Sequence, residues 1–163
     1  MLNYFKPDFY FEHFSNISVD WLKKNNIKLI LSDIDSTLAP HNEMGDKHLN
    51  KWLDELKKED IEVVCVSNNT EKRARDFGEH HNLVALGKCK KPKTKKVEQF
   101  IEQKGIKKEN IVLIGDQVFT DIWFGKRLFV RTILVMPIGN YQPVWIKAKR
   151  ILENKMLKNW KLK

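Results

Sequence analysis

Cysteine is scarce in this chain of 163 residues, which has only Cys65 and Cys89. Cys65 lies in the apolar run Val63–Val66 and Cys89 in a lysine-rich loop. Neither belongs to a disulfide framework, and the pattern predicts a reducing, cytoplasmic setting. Long apolar runs are missing too. No stretch approaches the roughly 20 residues of a membrane-spanning helix. Lys6, Asp8, Glu12 and His13 interrupt the first segment, against a signal peptide. There is no internal repeat and no low-complexity linker. His80 and His81 lack metal-ligand spacing to other His or Cys, which reads as structural or solvated. Acids are in deficit, 21 Asp and Glu against 30 Lys and Arg, for a net charge of +9. That surplus favours anionic partners: phosphorylated substrates, acidic lipid surfaces or nucleic acid.

A hydrophobic content of 42% supports a real core. The length predicts one domain, 1–163, with an aromatic N-terminal segment, 1–26, and a basic C-terminal helix, 145–163. Strand-like apolar runs at Lys28–Asp33, Ile61–Val66, Leu83–Leu86, Ile111–Ile114 and Thr132–Val135 alternate with helical patterns. Leu49, Trp52, Leu53 and Leu56 give one helix an apolar face, and Ala74, Phe77 and Gly78 give the next its inner face. Strands without polar alternation are typical of parallel sheets covered on both sides. The order predicts an α/β fold: a three-layer, doubly wound parallel sheet of about five strands. Between Thr37 and Ser67, and again between Ser67 and Lys91, there is room for one helix and one strand but no cap domain. The site should therefore be open.

The two ends are less regular. Tyr4, Phe5, Phe9, Tyr10, Phe11 and Phe14 crowd the start and are expected to cover the core rather than meet a membrane. Near the other end Lys147, Lys149, Arg150, Lys155, Lys158, Lys161 and Lys163 face Glu153 alone. On a helical projection Ala148, Ile151, Leu152, Met156 and Trp160 share a broad face, with Lys149 and Lys155 intruding and Leu157 opposite. With Trp145 and the charge, that face suggests peripheral contact with an anionic membrane.

The chain is organised around Ser32-Asp33-Ile34-Asp35-Ser36-Thr37, where the first strand runs into loop. Side chains two apart on a strand share one side. If the extended backbone persists through Asp35, the two carboxylates point together. They are then tolerable only with a cation between them or a proton on one. Ligands of such sheets bind beyond the carboxyl ends of the strands, where Asp33, Ser67 and Asp116 all fall. Phosphate monoester hydrolysis is among the slowest reactions in water, with enzymatic accelerations of up to roughly 10²¹-fold. Its site must neutralise phosphoryl oxygens, supply a nucleophile and protonate the leaving oxygen. Asp33 is the expected nucleophile, and Asp35 the general acid and later base, its proton favoured by the neighbouring carboxylate and by burial. Ser67 is the expected phosphate-binding hydroxyl and Lys91 the charge-balancing cation. Asp116 joins Asp33 on Mg²⁺, with Asp121 assisting directly or through water. Thr37 is a supporting residue. Asn68 admits two readings, a phosphate contact or a turn.

These residues also resemble a known family. Asp33-Ile34-Asp35-Ser36-Thr37, Ser67, Lys91-Pro92 and Gly115-Asp116-Gln117-Val118-Phe119-Thr120-Asp121 are similar to the four motifs of haloacid-dehalogenase (HAD) superfamily phosphatases, subfamily IIIA, across almost the whole chain. The resemblance implies a metal-dependent phosphatase with an aspartyl-phosphate intermediate. It also implies that Asp33 is both nucleophile and ligand, and that Asp35 gives a backbone carbonyl to the metal. Within the superfamily the chain is similar to the YqeG-type group, related to phosphatidylglycerophosphate phosphatases, through Ser67-Asn68-Asn69, Lys91-Pro92, Thr132–Val135 and the basic tail. That narrower likeness implies a phospholipid head group as substrate.

Two rival classes remain. A phosphate-responsive switch would also hold Mg²⁺ at a sheet rim, yet would not need Asp35. A phosphatase on soluble or nucleic-acid phosphates would suit the +9 charge, with lipid vesicles against oligonucleotides as the discriminating competition.

Overall fold

The structure is a computed structural model and describes residues 2–141 and 143–162; Met1, Gln142 and Lys163 lie outside the described residues. Its centre is a parallel sheet of six strands: β1 (Phe9–Phe11), β2 (Leu29–Ser32), β3 (Glu62–Val66), β4 (Val84–Leu86), β5 (Ile111–Gly115) and β6 (Arg131–Val135). Their spatial order is β1-β6-β5-β2-β3-β4. The chain winds outward from β2 through β3 and β4, then returns to the other side of β2 for β5 and β6. The direction reverses between β2 and β5, where open α/β sheets leave a crevice at their carboxyl ends.

Alternation along the strands builds the three layers. Ile30, Val63, Cys65, Val112, Ile114, Ile133 and Val135 face one side, packed on α1 (Val19–Lys24), α2 (Lys47–Lys58) and α3 (Glu71–His81). Leu29, Leu31, Val64, Val66, Ile111 and Leu113 face the other, against α4 (Lys95–Lys104) and α5 (Trp123–Leu128). The helices start and stop where local chemistry directs. The Ser18, Asp46 and Thr70 side chains accept backbone N–H groups at the starts of α1, α2 and α3. Gly105, at φ 66°, ends α4 in the left-handed region. Each sequence interval between site residues is filled by one helix and one strand, α2 and β3, then α3 and β4.

The structure adds a strand to the five expected. The aromatic segment supplies β1, in register with β6 from Phe9 opposite Ile133 to Phe11 opposite Val135. Asp8 fixes that register, accepting from the Thr132 N–H and hydroxyl, both at 2.8 Å. Phe9 and Phe11 then meet the Trp21 ring edge-on, 4.8 and 5.4 Å between centroids, while Tyr10 faces the opposite layer.

The tail also departs from expectation. It forms α6 (Val144–Asn159), but the buried residues are Glu153, Met156 and Leu157. Leu157, read as opposite the apolar face, packs with Val118, Ile122 and Leu134, whereas Ile151 and Leu152 are exposed. The cause is polar: Arg150 and Glu153 on this helix bind the loop after β5 and set the helix's rotation. Among the described residues no helix is long and apolar enough to cross a membrane.

Candidate active site

Three carboxylates converge from separate segments. Asp33 follows β2, and its N–H extends the sheet ladder to the Ile114 carbonyl. Asp116 follows β5. Asp121 stands on a wide helical turn, Val118–Ile122, that leads into α5. Each offers an oxygen within 4.8 Å of the others, and all three are buried. Gly115 permits this approach. A Cβ there would lie 2.2 Å from the Asp121 Cβ, so any side chain would displace that acid.

Lys91 enters the cluster from the loop after β4. Its Nζ donates to Asp33 Oδ1 at 2.8 Å and to Asp121 Oδ1 at 2.6 Å. The Asn68 side chain fixes its main chain by accepting the Lys91 N–H at 2.6 Å and donating to the Lys91 carbonyl at 3.2 Å. Asn68 was open between phosphate and turn; the structure commits its amide to Lys91. Ser67, buried at the end of β3, accepts the Asn69 N–H on its Oγ, which leaves its hydroxyl proton to donate. Thr37 donates to Asp116 Oδ1 at 3.1 Å.

Burial and crowding decide the protonation of this cluster. Burial pushes the Asp33 carboxyl up against the pull of Lys91, with Asp121 and Asp116 adding to the rise, to about 8. Burial and Asp121 push Asp116 up to about 6, against Arg150 and Thr37. Burial alone would lower the Lys91 amine, but Asp121 and Asp33 outweigh it and hold the charge in place. An all-oxygen set of this kind suits a hard divalent cation, which would offset the mutual repulsion.

Asp35 behaves otherwise than expected. β2 ends at Ser32, and the chain turns at Ser36, φ 65°. The Asp35 carboxylate lies outside the acidic cluster. Its Oδ1 accepts from the Asn42 N–H at 2.8 Å and from Arg73 at 3.0 Å, and its Oδ2 from Asn69 at 3.0 Å. Burial raises its carboxyl, but these donors outweigh burial and leave it below the ordinary value. The expectation of a favoured proton on Asp35 is thus reversed, because the partners are donors and not the other acid. In the cluster itself the third carboxylate is that of Asp121, the residue expected to assist Mg²⁺ directly or through water.

Sequence reasoning missed Arg73, Asn69, Arg150 and Glu153. Arg73 had a signal: it falls beside Ala74 and Phe77 on the inner face of α3, a charge where the periodicity demands burial. Glu153 had a weaker one, as the lone acid among the tail's lysines. Arg150 donates to both Asp116 Oδ2 and the Asp116 carbonyl, a contact that nothing in its own segment announces.

The chain is similar to known phosphatases. The family model described as mitochondrial PGP phosphatase matches residues 2–138. The "Probable phosphatase YqeG" of Bacillus subtilis (strain 168) is 33% identical over 161 residues, 98% of this chain and 94% of that protein. The cobalt-bound deoxy-D-mannose-octulosonate 8-phosphate phosphatase of Haemophilus influenzae superposes with a TM-score of 0.52 at 16% identity, over 83% of this chain and 90% of that one. The 3-deoxy-D-manno-octulosonate 8-phosphate phosphatase of Moraxella catarrhalis, solved with magnesium, phosphate and KDO, gives 0.50 at 16% identity, over 86% and 92%. At that identity these two structures speak to the fold alone.

Proposed function

The chain belongs to the mitochondrial PGP phosphatase family, and from that premise we propose that it hydrolyses phosphatidylglycerophosphate with the help of Mg²⁺, through an aspartyl-phosphate on Asp33. The observation that carries the reading is the convergence of Asp33, Asp116, Asp121 and Lys91 at the carboxyl ends of the strands. Asp33, Asp116 and Asp121 would hold the cation. When bound, it supplies charge neutralisation at the phosphoryl oxygens and keeps the acids ionised.

The chain's own groups then divide the work. Lys91 balances charge on the transferring group, and the Ser67 hydroxyl donates to one of its oxygens. An Asp33 oxygen attacks phosphorus as the bond to the leaving glycerol oxygen breaks, and that oxygen takes a proton. Asp35 is the proposed source. A phosphate dianion beside it opposes its ionisation and raises its hold on a proton. In the second half Asp35, ionised among Arg73, Asn69 and Asn42, takes the proton of the water that attacks the aspartyl-phosphate. Inorganic phosphate leaves and Asp33 is restored.

The outer face of α6 supports a lipid-borne substrate. Val144, Trp145, Ile151 and Leu152 are exposed there among Lys147, Lys149, Lys155 and Lys158. Apolar side chains ringed by lysines suit an anionic bilayer surface. The test is phosphate release from phosphatidylglycerophosphate in detergent micelles, with Mg²⁺ or with chelator, for the parent and for Asp33→Asn. Release that requires both the cation and Asp33 is expected. Release from soluble aryl phosphates without any from the lipid would turn the assignment to a soluble phosphate. Vesicle flotation with and without anionic lipid tests the surface, and indifference to lipid charge counts against it.

A further inference from the structure

The final helix reaches the centre of the site through one side chain. Arg150 donates through Nη2 to Asp116 Oδ2 and through Nη1 to the Asp116 carbonyl. The same Nη1 lies 3.2 Å from Glu153 Oε2, and Glu153 Oε1 accepts the Phe119 N–H at 3.3 Å. Phe119 belongs to the turn that carries Asp121. The pair Arg150–Glu153 therefore grips both the residue and the turn that deliver two of the three clustered acids. Met156 and Leu157, one turn further, pack against Val118, Ile122 and Leu134 and hold the helix in place.

Stability does not account for this arrangement. Glu153 and Asp116 are each 2% exposed, and taking charges out of water costs several kcal/mol per ion, on the order of what their attraction returns. Arg150 Nε is buried with no hydrogen-bond partner among the described residues, a further cost. What the arrangement does achieve is orientation. Oδ2 of Asp116 is held by the guanidinium and Oδ1 by Thr37, so the carboxylate has one setting. Each oxygen keeps a further lone pair for a ligand. Glu153 offsets the charge of Arg150, so the guanidinium directs Asp116 without cancelling it.

Resting on the cation-dependent reading above, we propose that Arg150 is a positioning residue for Asp116 and that α6 thereby completes the divalent-cation site. Groups in this position around a metal ligand typically change affinity about ten- to hundred-fold when removed. The measurement is calorimetric titration of the full chain with MgCl₂, which needs no turnover. Arg150→Ala should weaken Mg²⁺ binding by about ten- to hundred-fold, and Asn159→Ala, an exposed position at the end of the same helix, should leave it unchanged. Arg150→Lys should fall between parent and alanine variant, because an ammonium is a point donor and not a planar fork. Mg²⁺ binding by folded Arg150→Ala as tight as the parent's, or tighter, would overturn the proposal, since Arg150 would then only occupy the cation's place. If Arg150→Ala does not fold, the lysine variant decides alone, and parent-like affinity there overturns it equally. No Mg²⁺ uptake by the parent would sink the cation reading itself, and this inference with it.

Discussion

Replacing Lys91 by methionine tests the electrostatic logic of the site most directly. The ammonium is 2.8 Å from Asp33 and 2.6 Å from Asp121, and its side chain is 2% exposed. Methionine keeps most of the volume and removes the charge, which leaves the two buried carboxylates without their shared donor. Breaking a buried ion pair by deleting one partner costs about 3–5 kcal/mol. At about 2–4 °C per kcal/mol for a chain of this size, Lys91→Met should lower the melting temperature by about 6–20 °C without Mg²⁺ at pH 8. The loss should shrink at pH 6, where the Asp33 carboxyl, held protonated up to about 8 in the parent, carries no charge for the ammonium to balance. Mg²⁺ should narrow the gap, because a cation that replaces the lost ammonium binds the variant more tightly than the parent, and each tenfold in affinity at saturation adds about 1.4 kcal/mol. Turnover should not recover with it, since the donor to the transferring group is gone, a loss of about 10²–10³ in rate. Thermal scans at the two pH values, with and without Mg²⁺, read the first effects, and phosphate release reads the last. A variant that melts with the parent at pH 8 without Mg²⁺, or that turns over like it, would refute the reasoning.

Three further outcomes follow from the same site. The Asp33 carboxyl keeps a proton in the fold up to about pH 8 that the unfolded chain loses near pH 3.9. The folded state binds more protons between those values, so without Mg²⁺ stability should fall as pH rises through that window, and saturating Mg²⁺ should flatten the slope in thermal scans. Gly115→Ala places a Cβ 2.2 Å from that of Asp121; overpacking of this kind costs about 1–3 kcal/mol, and Mg²⁺-dependent phosphate release should drop with stability. Arg73→Met removes a donor that holds Asp35 ionised, so the acidic limb of the rate against pH should move to higher pH; an unmoved limb would show that Asp35 is not the group titrating there.

What the sequence made legible was the part governed by strand ends. Asp33, Ser67 and Asp116 could be placed together because each closes an apolar run in a βα alternation, and the winding rules put those ends on one rim. Asp35 was misread electrostatically because its surroundings arise from loop geometry. Asn42, Asn69 and Arg73 reach it only after the chain turns through positive φ at Ser36 and Asn42. Three residues, Phe9–Phe11, are too few for a period to declare a strand, and β1 exists because β6 offers an open edge. The face of α6 was misjudged because apolar projection ignores a charged pair that has a buried partner 34 residues away.

The pairing of β1 with β6 also sets an order of events during synthesis. Of the six strands, the one at Phe9–Phe11 comes first in chain order, yet its partner at Arg131–Val135 comes sixth. Asp8 likewise waits for Thr132, 124 residues later. Until then an aromatic stretch has no edge to join, and the growing chain carries it unpaired while the intervening residues are made. Contacts so distant in sequence form late, and unjoined apolar segments are the ones that aggregate or recruit chaperones. The sheet is sealed only when the newest strand meets the oldest.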